Sequence, residues 1–183
     1  LGLVPHLPQL HAFLGELEAN YGTNPYHNAA HGADVLLGTH HFLAALPPIT
    51  PLAHLAALFA AAIHDYAHPG TSNAHEMKVL SSRAITYSDR SPLESSHLAS
   101  AFKVLASPGK NVLAGLGSEG FQAARDHARE RMGAKAAERE PAVPIRGSST
   151  GMARLAALGR SSSIIFFNAL GETLTSLLSN AQI

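Results

Sequence analysis

The chain has 183 residues, 46% hydrophobic and 14% charged, a balance that can build the core of one domain and excludes a disordered polyelectrolyte. Thirteen Lys and Arg offset thirteen Asp and Glu, so no net field draws the chain to nucleic acid or to an acidic membrane. Cysteine is absent, which excludes disulfides, thiolate zinc sites and cysteine nucleophiles and leads us to expect an intracellular, cytoplasmic setting.

Residues 9–21 carry apolar side chains at 10, 13, 14, 17 and 21, the spacing of an amphipathic helix. Gly22-Thr23-Asn24-Pro25 reads as a turn, and a second helix is expected from Tyr26 to Leu46, stopped by Pro47-Pro48. Thr50-Pro51 opens a third, apolar on nearly every side from Leu52 to Ile63 and therefore deeply buried, ended by His68-Pro69-Gly70. Further helices are expected over 74–87 and 91–107, with Pro108-Gly109 breaking the chain again. Val, Ile and Thr never alternate with polar residues over a useful length, so the fold class is all-α.

The longest unbroken apolar run, Leu55–Ile63, is nine residues, against roughly 18 for a membrane span. Composition changes near residue 125: nine of the 26 charged residues fall within 125–140. A Pro/Gly/Ser-rich linker follows over 141–151, then an apolar, serine-rich segment from Ser161 to Ile183. The chain starts with Leu1 and carries no basic flank before an apolar stretch, so we expect a fragment or processed product without a secretory signal.

Twelve histidines are the outlier in this composition. Two pairs, His27/His31 and His64/His68, have the i, i+4 spacing that puts both imidazoles on one helix face. Asp65 follows His64 at the end of the apolar third helix. Ionisable groups beside an apolar run need a partner, and a metal ion is the strongest one available. Imidazole and carboxylate together suit Zn²⁺, Mn²⁺, Fe or Mg²⁺. A single His-x₃-His pair arises readily by chance, whereas two pairs and an adjacent Asp make chance the minority reading. His6, His11, His40, His41, His54 and His75 read as ordinary structural residues. Spacing alone does not name a reaction.

The strings themselves go further. Asn24-Pro25-Tyr26-His27-Asn28-Ala29-Ala30-His31-Gly32-Ala33-Asp34-Val35 resembles the first metal-site motif of the class I 3',5'-cyclic nucleotide phosphodiesterases. Ala60-Ala61-Ala62-Ile63-His64-Asp65-Tyr66-Ala67-His68-Pro69-Gly70-Thr71-Ser72-Asn73 resembles the second, and Tyr87-Ser88-Asp89-Arg90-Ser91-Pro92-Leu93-Glu94-Ser95-Ser96-His97 the third. The resemblance implies a compact multi-helix bundle of the His–Asp phosphohydrolase type, truncated to its N-terminal half. Residues 1–125 would be the phosphodiesterase-like part and 126–183 a divergent tail.

It further implies hydrolysis of cyclic AMP or cyclic GMP to the 5'-monophosphate by a hydroxide that two metals activate. His31, His64 and Asp65 would be metal ligands, with a tight zinc-like ion and a second magnesium- or manganese-like ion sharing Asp65. His27 would protonate the leaving O3'. His68 and Glu94 would orient water and the acid histidine, Tyr26 would line the nucleotide pocket, and Asn28, Asp34 and Asn73 would brace the site or cap helices.

Two positions depart from the family pattern: Ala67 stands where an acidic residue or Asn is usual, and Ser95-Ser96 replace Asn-His. After residue 125 no string resembles the late aspartate ligand, the purine-gripping glutamine or its aromatic partner. Asp126 is the only later Asp. A partner chain or a second copy is then expected to cover the buried helix. A metal-binding or interaction module without catalysis stays open as the alternative, and nucleotide preference is not written in these residues.

Overall fold

The computed structural model describes residues 7–137, all helix and turn apart from one isolated bridge between Thr23 and Asn28. Helix α1 (Leu7–Asn20) buries Leu10, Phe13, Leu14 and Leu17, the spacing expected from the sequence. Helices α2 (Ala29–Ala44) and α3 (Pro51–Ile63) pair, and α3 lies between α2 and the long α7 (Gly117–Ala137). Ala56 to Ile63 are all buried, so α3 is the centre of the core, as a helix apolar on every side must be. Phe13 stacks on Phe59 and Phe59 meets Phe102 edge-on, which ties α1 and α3 to α6 (Pro92–Leu105).

The caps explain where helices start. The Thr50 side chain accepts from Ala53 N–H and Pro51 occupies the first turn of α3. Ser72 and Ser81 cap the short helices α4 (Asn73–Lys78) and α5 (Ser82–Thr86) in the same way. The expected helix over 74–87 is therefore two: Leu80 sits at φ 50° and Ser81 caps afresh, because a serine competes for its own backbone and restarts the helix. Helix α6 has no cap from Ser91; the Asn73 side chain accepts from Leu93 N–H at 2.9 Å instead.

Helix α7 runs unbroken through residue 125, where the composition shifts. Its buried residues Ala124, Ala128 and Met132 lie at i, i+4 and i+8, so one apolar stripe is enough to seat a helix whose other faces are charged. The linker at 141–151 and the segment from Ser161 to Ile183 lie outside the described residues. No helix among the described residues is long and apolar enough to cross a membrane.

Candidate metal centre

The two histidine pairs do not sit on helix faces. Helix α2 begins only at Ala29, because the Asn28 side chain accepts from His31 N–H at 3.1 Å and fixes the start there. Tyr26 and His27 thus lie in the preceding turn, not in the expected helix from Tyr26. At the other pair, His64 is the C-cap of α3 and the chain turns through 64–67, with Ala67 at φ 56°. The spacing argument fails as helical geometry, yet the residues it collected come together, because both turns fold back onto one point.

That point is Asp65. Its Oδ2 lies 2.8 Å from His27 Nδ1, 3.0 Å from His64 Nε2 and 3.3 Å from His31 Nε2. The two Nε2 atoms are themselves 3.2 Å apart. His64 Nδ1 lies 2.9 Å from the Ala61 carbonyl, which can only accept, so Nδ1 carries the proton and Nε2 presents a bare lone pair. A lone pair beside a carboxylate oxygen and a second imidazole nitrogen is an arrangement suited to a shared cation. Ligand atoms about 2.0–2.1 Å from a tetrahedral ion are roughly 3.3 Å apart, close to the separations seen here. The His27–His31–Asp65 group has the donors and the convergence to hold a metal ion, and His64 Nε2 lies beside it, against the same Asp65 oxygen and His31 Nε2. Burial pushes the Asp65 carboxyl up, but its contacts with His31, His64 and His27 outweigh that and hold it well below the usual carboxylate range.

A second group, Asp65, His68 and His97, has the same donor spacing. Here the hydrogen bonding argues against ligation by His68. Gly70 N–H donates to His68 Nδ1 at 2.9 Å, so the proton of the neutral ring is on Nε2 and His68 faces the site as a donor. His97 is almost fully buried, its Nδ1 is 2.7 Å from the Tyr66 carbonyl, and burial pushes its pKa down to about 4. The rings of His27 and His68 stack at 3.8 Å and 10°, and those of His68 and His97 at 5.2 Å and 24°. Burial, followed by the neighbouring His27, holds His68 below its ordinary range.

Tyr26 is half exposed and lies over the cluster, its ring 4.4 Å from that of His31 and 5.0 Å from that of His27. Glu94 reaches the site's far side: its Oε2 accepts from Asn73 Nδ2 at 2.8 Å, and Glu94 and His64 line a cavity of about 280 Å³. Val35, Ala57, Ala60 and Met132 form the apolar part of that wall and Arg131 its cation. Asn28 and Asn73 are brace and cap as expected, while Asp34 is exposed. Asp126 pairs with Arg129 at 3.0 Å and with Gln122 on α7's outer surface, so it has other partners than the cluster.

Three contributors escaped the reading of the sequence. Asn24 Nδ2 donates to the His68 carbonyl at 2.7 Å and its own carbonyl accepts from Asn28 Nδ2 at 2.9 Å, so one asparagine ties both histidine-bearing turns together. Tyr21 is fully buried against Gly32, where a Cβ would meet the phenol Cζ and oxygen at 2.7 Å. His97 supports the stack from below. A Tyr at the end of an apolar stripe and a Gly directly after a candidate ligand were the only signals for the second of these contacts.

Fold and site together define an all-α domain with a His–Asp cluster suited to a divalent cation. The model of the 3'5'-cyclic nucleotide phosphodiesterase family matches residues 26–132, and the chain belongs to that family. The human dual specificity calcium/calmodulin-dependent 3',5'-cyclic nucleotide phosphodiesterase 1B is 42% identical over 117 residues, covering 61% of this chain and 22% of the human protein. The probable 3',5'-cyclic phosphodiesterase pde-1 of Caenorhabditis elegans is 37% identical over 125 residues, covering 66% of this chain and 19% of the worm protein. The match thus spans about a fifth of these relatives' length. The phosphodiesterase domain of the rhodopsin phosphodiesterase of Salpingoeca rosetta shares the fold, with a TM-score of 0.66 at 24% identity, covering 94% of this chain and 53% of that domain.

Proposed function

We propose that this chain carries the metal-binding half of a cyclic nucleotide phosphodiesterase site and hydrolyses cyclic AMP or cyclic GMP to the 5'-monophosphate. The observation that carries the reading is the bare Nε2 of His64, aimed with His31 Nε2 and Asp65 Oδ2 at a single point. His31, His64 and Asp65 would hold a tight zinc-like ion, and Asp65 would share its carboxylate with a magnesium- or manganese-like second ion. Such cations supply Lewis acidity, lowering the pKa of water and neutralising phosphate oxygens.

The chain's own residues do the remaining work. Asp65 Oδ2 accepts from His27 Nδ1, which holds the ring in place and leaves Nε2 to deliver a proton to the departing O3'. The stacked ring of His68 keeps His27 in that orientation, and its Nε2–H is a donor for an attacking water. Tyr26 presents an aromatic face beside the two site histidines for the nucleotide, and Glu94 fixes the opposite rim through Asn73. A second copy or a partner chain laid over the cavity beside His64 would exclude bulk water and strengthen each of these contacts.

The test is turnover of cyclic AMP and cyclic GMP by the purified chain with added Mg²⁺ or Mn²⁺. Hydrolysis that falls on the order of a hundredfold in His27→Asn, with zinc affinity retained, supports the role of His27. Zinc binding without turnover of either nucleotide would leave the metal-binding module as the better description.

A further inference from the structure

One buried charge at the α4–α5 corner takes no part in the His–Asp cluster. Glu76 on α4 is 4% exposed, and a carboxylate is almost never buried so far unless strong partners hold it. Its Oε1 accepts from Thr71 Oγ1, and its Oε2, shielded from solvent, faces Arg83 Nη1 at 3.8 Å. Arg83 in turn donates from Nε to Ser96 Oγ at 3.3 Å. Ser96 replaces a histidine of the family pattern and lies on α6, the helix that carries Glu94 and His97.

What Glu76 holds is the turn that carries His68. Gly70 takes a left-handed φ of 82° there and gives its N–H to His68 Nδ1 at 2.9 Å. Glycine has several backbone conformations of similar energy, so the peptide that makes this bond needs restraint on both sides. Asn24 restrains one side through the His68 carbonyl at 2.7 Å. Thr71 follows on the other side, and its hydroxyl is anchored on the buried Glu76. We propose that Glu76 is a positioning residue for His68: through Thr71 it fixes the Gly70 peptide that keeps the ring proton on Nε2, and through Arg83 and Ser96 it ties that turn to α6. The hold on the ring stands apart from the reaction, whereas its effect on turnover rests on the hydrolytic reading.

Nitrogen-15 NMR of the histidine rings of the full chain tests it, at about pH 8, where His68 is neutral. With its signals assigned by their loss in His68→Gln, the wild-type ring should show a bare Nδ1 and a protonated Nε2. Thr71→Val keeps the side-chain shape without the hydroxyl and should draw the two nitrogen shifts together as the tautomers mix, and Thr71→Ser should restore them. Glu76→Met should act like Thr71→Val, with circular dichroism to confirm retained helix; if it loses helix, Thr71→Val decides. In a chain that turns over cyclic nucleotide, Thr71→Val should lower kcat about tenfold with KM within about twofold. Wild-type His68 protonated on Nδ1, or a helical Thr71→Val with both shifts at their wild-type values, would overturn the proposal. Shifts that merge in a chain without turnover would uphold the positioning role and count against the hydrolytic reading instead.

Discussion

The two ends of the α2–α3 pair make a useful comparison. Each end brings an imidazole from one helix against an imidazole from the other. At the His31/His64 end every neighbouring group is tied down: Ala61 O fixes the His64 proton, Asn28 sets the start of α2, and Asn24 links the turns before and after the two helices. At the His40/His54 end the rings lie 6.5 Å apart, and His40 Nδ1 and His54 Nε2 have no hydrogen-bond partner among the described residues. What separates the His–Asp cluster from a plain pair of neighbouring imidazoles is therefore the support around the rings, not the rings themselves.

The largest way to break the comparison is at Asp65, the anion shared by His27, His31 and His64. Asp65→Ala should lower cyclic nucleotide hydrolysis on the order of 10³-fold, measured as kcat/KM with saturating divalent cation. Next comes the buried base of the stack. His97 is held neutral by burial with its pKa near 4, below its unfolded value near 6.5, so the unfolded chain binds more protons between those two values. Stability should be fully present above about pH 6.5 and fall as pH drops towards 4, by on the order of 3 kcal/mol in urea unfolding midpoints converted to free energy, a loss that His97→Gln should flatten.

Gly32→Ala should cost about 1–3 kcal/mol in the same assay, because the added methyl meets the rigidly packed Tyr21 phenol at 2.7 Å and pushes on the start of α2, which carries His31. Ala67→Asn should be mildly stabilising, by about 0.5–1 kcal/mol, since Ala67 holds a left-handed φ of 56° that Asn accepts more readily. Smallest of all, His54→Gln should leave hydrolysis within about twofold, sharpening the contrast between the two ends.

Much of this was legible before any coordinates. The stripe at 10, 13, 14 and 17 and the apolar run to Ile63 give α1 and α3 because burial imposes helical periodicity directly. The three motif strings name the residues of the cluster, since ligands, turns and caps are local in sequence. What did not show was the geometry that joins them. The i, i+4 pairs suggested helix faces, whereas Asn28 and the His64 cap place His27 and His68 in turns. Serine caps split the expected helix over 74–87, an outcome decided by competition between a side chain and its own backbone. Long-range contacts such as Asn24 with the His68 carbonyl, or Tyr21 with Gly32, have no periodic signature. The usual preference for Asn or an acid at position 67 gains a physical reason only once the left-handed φ there is known. Helix α7 crosses the composition change at residue 125 because Ala124, Ala128 and Met132 keep one apolar stripe through it.

The central claim is that His31, His64 and Asp65 together hold a divalent cation. Zinc content by elemental analysis of the purified chain after exhaustive dialysis, set beside that of His64→Ala with its helix content intact, tests it most directly. The account predicts about one zinc retained by the wild-type chain and lost in His64→Ala. Equal zinc in both proteins, or none in the wild-type chain, would contradict it.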